Sequence, residues 1–250
     1  MELTTFLRHL SATARSVTLG APVPDADNKA GAGAYDPVTE IDRAAERALR
    51  TAIEEAFPQD GIEGEEYGLV RAEAPRRWLL DPVDGTRALI CGLPSWTTLV
   101  ALVEEGEPTA GFIDAPALGE LMIGLPGATM LNDRPVRVSG CATLADARLS
   151  STDPYLFAGA EAAAFDRVRR AVRLTRFGYD ALAYARLAAG HLDLVVESGL
   201  HRHDWAALVP VVRGAGGIIG DWEGGSDFSQ GRIVAAASTA LYEQAVAQLR

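Results

Sequence analysis

Apolar residues recur every three to four positions in two stretches near the start of the chain, which predicts two amphipathic helices. The first stripe runs over residues 3–17 and the second over residues 41–53. Residues 20–37, which are rich in Gly, Ala, Pro and Asp, are predicted to form a mobile loop between them.

Short apolar runs in the rest of the chain predict strands that alternate with further helices. Strands are expected at 78–80, 97–103, 109–113 and 121–124, with a reverse turn at 104–107. In the second half we expect a short strand after residue 142, helices over 160–172 and 181–189, and a strand over 193–197. We then expect a helix that begins at Asp204 and ends at Gly216 and Gly217. It is followed by extended structure at 218–219 and a last helix over 239–249. The pattern indicates a layered α+β architecture, with an N-terminal half at 1–141 and a C-terminal half at 142–250.

Composition narrows the classes of protein that this chain can represent. The formal net charge is −11, and no basic stripe of the kind that binds nucleic acid is present. No apolar run approaches the roughly 20 residues that a membrane-spanning helix needs. Cys91 and Cys141 form no disulfide or zinc pattern, which favours a reducing compartment. We therefore expect a cytoplasmic protein with no nucleic-acid or membrane partner.

The most informative segment is the apolar run at 78–80 followed by Asp81, Pro82, Val83, Asp84, Gly85 and Thr86. The proline and glycine predict a tight turn that brings both aspartates to the end of the strand, facing one small volume. Two carboxylates so close repel each other, and a hard cation such as Mg²⁺, which prefers oxygen ligands, removes that repulsion. Asp-Pro and Asp-Gly pairs are also common in turns without any ligand, so this segment alone leaves a simple turn as an alternative.

Three further acidic segments lie at predicted element boundaries. They are the Asp-Pro-Val-Thr-Glu-Ile-Asp run that ends at Asp42, the Gly-Glu-Glu run with Glu65 and Glu66, and the His-Asp-Trp-Ala-Ala run with Asp204. In this order, and followed by a Gly-Ala-Gly-Gly segment, the motifs resemble the inositol monophosphatase superfamily. The resemblance runs in register from about residue 36 to about residue 224 and implies an αβαβα sandwich of the inositol monophosphatase and fructose-bisphosphatase type.

The resemblance implies a magnesium-dependent, lithium-sensitive phosphomonoesterase with two or three Mg²⁺ ions per site. The implied metal ligands are four carboxylates and one backbone carbonyl oxygen. The carboxylates belong to Glu65, Asp81, Asp84 and Asp204, and the carbonyl belongs to Val83. The family uses the first glutamate of Gly-Glu-Glu, although the residues themselves do not distinguish Glu65 from Glu66. Metal ions about 3.5–4 Å apart neutralise a phosphate and activate water, which is the chemistry that slow phosphate-ester hydrolysis requires.

Catalytic and phosphate-binding roles are implied for residues beside these ligands. In the family, Asp42 and Thr86 orient the attacking water together with Glu65. The N–H of Gly85, next to Thr86 at a predicted helix start, also suits phosphate binding by these two residues. Asp42 also fits a capping box with Thr39, and the two roles are compatible because a carboxylate has two oxygens.

The resemblance further assigns Gly178, Asp180 and Glu197 to the organic part of the substrate. A second carboxylate at Asp180 favours a cationic substrate, and neighbouring segments resemble the histidinol-phosphatase branch. The predicted reaction is hydrolysis of a small phosphate monoester, with histidinol phosphate as the leading substrate and inositol or other sugar or nucleotide phosphates as alternatives. Asp180 also fits an ordinary helix N-cap before Ala181.

A different class of function is a regulatory protein-binding member of the same superfamily. A non-catalytic member is expected to have lost a metal carboxylate, and this chain keeps all four. The resemblance also implies a homodimer. His201 and His203 are expected to be exposed residues of a loop rather than metal ligands.

Overall fold

A computed structural model of the protein describes residues 2–19, 26–28 and 37–250. Most of the loop predicted at 20–37 lies outside the described residues. Its described parts, strands β1 (Asp27–Asn28) and β2 (Pro37–Val38), pair with each other in antiparallel fashion, so this segment is not entirely loop.

Helices α1 (Leu3–Thr18) and α2 (Glu40–Ala56) precede a large sheet. Its strands are β3 (Gly61–Gly64), β4 (Gly68–Val70), β5 (Arg76–Asp84), β6 (Thr97–Glu104), β7 (Glu107–Ala115), β8 (Glu120–Leu125), β9 (Ala128–Leu131) and β10 (Arg134–Pro135). They lie in the order β10-β9-β8-β7-β6-β5-β3-β4. Neighbours are antiparallel except β3 and β5, which are parallel. A short helix, α3 (Thr86–Ile90), follows β5 directly.

A second sheet is built from the C-terminal part of the chain in the order β12-β11-β13-β15-β14. Its strands are β11 (Arg148–Ser151), β12 (Leu174–Phe177), β13 (Leu194–Glu197), β14 (Ile218–Gly220) and β15 (Ile233–Ala236). The helices among them are α4 (Ala160–Ala171), α5 (Leu182–Ala188), α6 (Arg202–Trp205), α7 (Leu208–Gly214) and α8 (Thr239–Leu249).

Because side chains alternate between the two faces of each strand, the apolar core is divided into three layers. One layer lies between the two sheets, and one lies on the outer face of each sheet. Trp78 and Leu80 of β5 pack under α1 and α2, whereas Leu79 between them joins the central core with α5 and α7. In the second sheet Val195 faces the same central core, and its neighbours on β13 pack against α4 and α8. The layers therefore follow the order α, β, α, β, α, as the resemblance implied.

The helix predicted from Asp204 to Gly216 is wrong, because the structure has two short helices there, α6 and α7. Asp204 is the third residue of α6, which begins at Arg202. Pro210 has no amide hydrogen to continue the hydrogen-bond ladder of α6, and such a residue fits the first turn of a new helix.

The segment between β10 and β11 contains the predicted boundary at residues 141 and 142, and both sheets contribute to the central core. The division into halves at 1–141 and 142–250 stays a prediction. None of the helices in the described residues has the length and apolar character needed to cross a membrane. Cys91 and Cys141 are both free thiols.

Candidate active site

Asp81 and Asp84 face one cavity because β5 contains a bulge. Residues three apart in a regular strand point to opposite faces. Asp81 pairs with Leu99 and Asp84 with Thr97, so three steps along β5 match two along β6. The expected tight turn between the aspartates is therefore wrong. Both belong to β5, and the bulge at Pro82, which has no amide hydrogen for the ladder, brings them to the same side.

Hydrogen bonds hold both aspartates in place. Asp81 is 2% exposed, and its Oδ1 accepts the backbone N–H of Val83 at 3.1 Å. Asp84 Oδ2 accepts the hydroxyl of Thr97 at 2.9 Å and the backbone N–H of Ala181 at 2.8 Å. The second contact joins the first sheet to the residues just before α5, so the C-terminal part of the chain helps to position Asp84.

Glu65 reaches the cavity because a buried carboxylate fixes the turn that carries it. Glu46 Oε2 accepts the N–H of Glu66 at 2.7 Å, and Oε1 accepts the N–H of Tyr67 at 3.2 Å. A Cβ on Gly64 would overlap the carboxylate of Glu46, so a larger residue there would displace this group. Glu65 lines the cavity, whereas Glu66 contributes its backbone to this turn. Glu65 therefore lies at the cavity, and its role as a metal ligand stays a prediction.

Asp42 caps α2 and contacts Thr86 at the same time. Its Oδ2 accepts the N–H of Thr39 at 3.0 Å, while its Oδ1 lies 3.3 Å from Thr86 Oγ1. Thr86 Oγ1 is also 3.0 Å from the carbonyl oxygen of Val83, so its single hydrogen has two acceptors. Burial raises the pKa of Asp42, hydrogen bonds from Thr39 oppose this rise, and the charge of Glu65 adds to it.

Asp204 completes the set from the far end of the chain. Its Oδ2 accepts the N–H of His201 at 2.7 Å, and its Oδ1 lies 3.2 Å from Nε2 of His203. Burial raises the pKa of Asp204, and His203 opposes the rise. The expectation that both histidines are exposed loop residues holds for His201 alone. His203 is half-buried in α6 and both rings lie at the cavity.

The predicted substrate-contacting residues do not all reach the cavity. Gly178 is exposed, and its N–H donates to the carbonyl of Thr152 at 2.9 Å, behind the lining. Asp180 lines the cavity and has φ +45°. It is not an N-cap, because Ala181 occupies that position and no side chain caps α5. Burial raises the pKa of Asp180 to about 6, Arg87 opposes this rise, and Asp204 and Asp153 contribute to it.

Gly85 and Glu197 form two other parts of the lining. Gly85 has φ +81°, and a Cβ there would lie 3.1 Å from Asp180 Oδ2, so glycine is favoured both by its backbone and by this contact. Glu197 is 1% exposed at the end of β13. Its Oε1 accepts the N–H and the hydroxyl of Thr152 at 2.8 and 3.0 Å. Burial raises the pKa of Glu197 to about 8, although Thr152 opposes this rise.

The cavity has a volume of about 360 Å³ and is strongly acidic. Six carboxylates line it: Glu65, Asp81, Asp84, Asp180, Glu197 and Asp204. Arg87 is the arginine among the lining residues, and it also lies 3.8 Å from Asp153. Such a concentration of buried negative charge is costly unless a cation compensates it.

A family model for the inositol monophosphatase family matches residues 2–250. The chain belongs to the inositol monophosphatase family. This match over nearly the whole chain identifies it as a phosphatase of that family, a hydrolase of phosphate monoesters.

Similar proteins carry different names within the family. A chloroplastic bifunctional phosphatase of Arabidopsis thaliana is 41% identical over 225 residues, which cover 85% of this chain but 65% of that protein. A histidinol-phosphatase of Chlorobaculum parvum is 34% identical, with 85% of this chain and 83% of the relative covered. The solved structure of an inositol monophosphatase from Zymomonas mobilis is 38% identical, has a TM-score of 0.86, and covers 98% and 96% of the two chains.

Inositol monophosphatase family enzymes are metal-dependent, and the acidic cavity of this phosphatase fits a cation by its charge. Burial raises the pKa of Asp81 well above its usual value, and the charges of Glu65, Asp84 and Asp204 raise it further. Within 2–19, 26–28 and 37–250, no group of three or more His, Cys, Asp or Glu side chains is already arranged around a common centre. The argument that the cavity fits a cation rests instead on the charge of four carboxylates that repel one another there: Glu65, Asp81, Asp84 and Asp204.

Sequence reasoning missed several residues of this phosphatase's site. Thr97 and Thr152 hold Asp84 and Glu197, but isolated threonines carry no motif. Tyr184, which also lines the cavity, lies four residues after Asp180. Tyr184 is the one polar aromatic residue in a segment otherwise made of Ala, Leu and Arg, and it carries no motif.

Proposed function

We propose that this phosphatase is magnesium-dependent and hydrolyses a small, amine-bearing phosphate monoester, with histidinol phosphate as the leading substrate. The observation that carries the proposal is the acidic cavity, where six carboxylates face one arginine. Mg²⁺ prefers carboxylate oxygens and binds substrate phosphates in such sites. Glu65, Asp81, Asp84 and Asp204, with the carbonyl of Val83, would hold two or three Mg²⁺ ions.

Magnesium bound there would neutralise the phosphate and lower the pKa of water. The chain's own residues would orient that water and accept its proton. Thr86 Oγ1 donates its hydrogen toward Asp42 or the carbonyl of Val83, which leaves its lone pairs to accept a hydrogen from water. Glu65 lines the same cavity, and its charge acts on Asp42.

Water attacks phosphorus, the bond from phosphorus to the ester oxygen breaks, and the ester oxygen takes a proton from solvent and leaves as the alcohol. The raised pKa of Asp42 suits it to take the proton that the water loses through Thr86. Gly85 and Thr86 line the same part of the cavity, which supports a phosphate contact for their backbone.

Two carboxyl groups at the cavity favour a substrate that carries an amino group. Asp180 and Glu197 both line the cavity, and a substrate ammonium would compensate their charge. The name of the Chlorobaculum relative agrees with histidinol phosphate. Inositol phosphate is the second candidate, since the Zymomonas protein is an inositol monophosphatase and matches over nearly the whole chain.

A panel of substrates with Mg²⁺ tests the proposal. Phosphate release from histidinol phosphate, inositol 1-phosphate, fructose 1,6-bisphosphate and phosphoadenosine phosphate is measured with purified protein. The proposal predicts the highest kcat/KM for histidinol phosphate and loss of all release with excess chelator. Release that is unchanged in chelator would contradict magnesium dependence, and a preference for inositol phosphate would replace the leading substrate.

Three properties belong to the same proposal and have their own measurements. Homodimer formation is expected in sedimentation, lithium is expected to inhibit phosphate release, and the protein is expected in the cytoplasmic fraction. The proposed function does not depend on any of these three.

A further inference from the structure

Two polar atoms on the inner wall of the cavity have no hydrogen-bond partner in the described part of the chain. They are the phenolic oxygen of Tyr184 and Oε2 of Glu197, and each side chain is 1% exposed. A buried polar atom without a partner costs about 1–3 kcal/mol. A fold that keeps two of them on one cavity wall indicates a ligand that satisfies both.

Both atoms are held in place by the scaffold around them. Tyr184 belongs to α5, which is packed in the central core between the two sheets. Glu197 ends β13, and Thr152 engages only its Oε1, so Oε2 remains for a ligand. Packing and hydrogen bonding therefore fix the two atoms before any substrate enters.

The surroundings of these atoms favour a positively charged ligand group. Burial raises the pKa of Tyr184 well above its usual value, and Glu197, Asp84 and Asp204 raise it further, so the phenol stays neutral. The charge of Asp180 also acts on Glu197, which places a second carboxylate beside this wall. A primary ammonium has three N–H donors, and the wall offers the oxygen atoms of Tyr184, Asp180 and ionised Glu197 as acceptors.

We propose that Tyr184 forms, with Glu197, a recognition subsite for the ammonium group of a 2-aminoalkyl phosphate. Tyr184 is then a specificity-determining residue, because its phenolic oxygen accepts a hydrogen bond that the ammonium group donates and that a simple alkyl phosphate cannot donate. The inference rests on the proposed phosphatase function and deepens it by naming the substrate class.

Steady-state kinetics with a matched pair of substrates tests this subsite. Phosphate release from 2-aminoethyl phosphate and from ethyl phosphate is compared for the wild type and for Tyr184→Phe. The variant is expected to raise KM for the amine substrate about tenfold, the loss of one hydrogen bond to a charged group, and to leave ethyl phosphate within about twofold. Inhibition by 3-aminopropylphosphonate should weaken by the same factor, while inhibition by propylphosphonate should not change.

Tyr179→Phe is the matched control, because Tyr179 is next to Asp180 and its hydroxyl bonds Arg176 at 3.4 Å. It is expected to leave both substrates unchanged. If Tyr184→Phe does not fold, Glu197→Gln provides the second variant and should show the same selective loss. An equal loss on both substrates, or no loss on either, would overturn the subsite.

The two proposals fail in different ways. If the wild type releases no phosphate from either substrate with Mg²⁺, the proposed function fails. If it releases phosphate from both with equal kcat/KM, the phosphatase remains and the amine subsite is overturned.

Discussion

Strand β13 has a buried carboxylate at each end, and the two ends differ in their partners. Asp193, just before the strand, accepts hydrogen bonds from Arg148 Nε at 2.7 Å and from the Arg148 backbone at 2.8 Å. Glu197, at the other end, receives only the neutral donors of Thr152 and leaves Oε2 without a partner. Both side chains are 1% exposed.

The same burial therefore gives opposite protonation behaviour. Burial opposes ionisation of Asp193, but hydrogen bonds from Arg148 and Ser139 outweigh it and lower the pKa of Asp193. Burial raises the pKa of Glu197 to about 8. A carboxylate that the chain itself neutralises belongs to the scaffold. One that the chain leaves uncompensated is available to a ligand, and Asp81 and Asp84 resemble Glu197 in that burial raises the pKa of each well above its usual value.

The largest expected effect is at Asp81, the most buried of the proposed metal ligands. Asp81→Asn should reduce kcat by about 10³-fold, as removal of one strong electrostatic stabiliser does. It should also leave the metal-free protein as stable as the wild type or more so, because it removes repulsion with Glu65 and Asp84. Phosphate release and denaturant unfolding in chelator measure the two effects.

Asp166→Asn is the control for that experiment, because Asp166 pairs with Arg169 on the surface of α4. It should change neither quantity. A destabilised Asp81→Asn protein would mean that Asp81 is a scaffold residue, which contradicts the distinction drawn from β13.

The next effect in size concerns the scaffold end of β13. Asp193→Asn removes a charge that Arg148 and Ser139 bind, and it should lower the free energy of unfolding by about 2–3 kcal/mol. At 25 °C, where the variant remains folded, kcat should stay within about twofold of the wild type. Urea unfolding and phosphate release on the same preparation provide the measurements, and a large loss of kcat with unchanged stability would reverse the assignment.

The hydrophobic pattern was enough to predict the layered fold. The helices at α1, α2, α4 and α8 and the strands β5 to β8 follow from period and alternation alone. The short strands β9, β10 and β12 did not, because two to four residues carry too little pattern to distinguish them from loop. The split between α6 and α7 was missed because the apolar spacing continues across it.

The candidate site was predicted unevenly for a physical reason. Asp81, Asp84 and Asp204 lie in motifs, and the cavity gathers them together with Glu65. What was missed is geometry that depends on tertiary contacts: the bulge that turns Asp81 and Asp84 to one side, and Thr97 and Thr152, which hold Asp84 and Glu197. Tyr184 was missed because a tyrosine in an apolar helix looks like a core residue until its hydroxyl is found without a partner.

A smaller effect is expected in the pH dependence of stability. The usual pKa of a glutamate is 4.5, and Glu197 in the folded state has about 8, so the folded protein holds a proton that the unfolded chain releases between these values. The free energy of unfolding should therefore fall as pH rises from about 4.5 to 8. In chelator, Glu197→Gln should remove the part of that fall that the Glu197 proton causes, whereas Glu223→Gln, an exposed control, should leave the fall unchanged. An identical slope in wild type and Glu197→Gln would show that Glu197 ionises freely.

The smallest expected effect tests whether a scaffold carboxylate can control the site without touching it. Glu46 is buried, pairs with Arg50 at 2.7 Å, and accepts the backbone amides of Glu66 and Tyr67 next to Glu65. Glu46→Gln keeps the shape, but its single carbonyl oxygen replaces only one of the two acceptors, so one backbone amide loses its partner and the turn that presents Glu65 should shift. Because groups that orient metal ligands typically contribute a factor of 10–100 in affinity, Mg²⁺ binding measured by calorimetry should weaken about tenfold.

Glu54→Gln, on the exposed side of the same helix, should leave Mg²⁺ affinity unchanged. If Glu46→Gln lowers stability with unchanged Mg²⁺ affinity, Glu46 serves the scaffold alone. The tenfold loss of affinity would instead mean that the two classes of carboxylate meet at this turn, where a compensated charge determines the position of an uncompensated one.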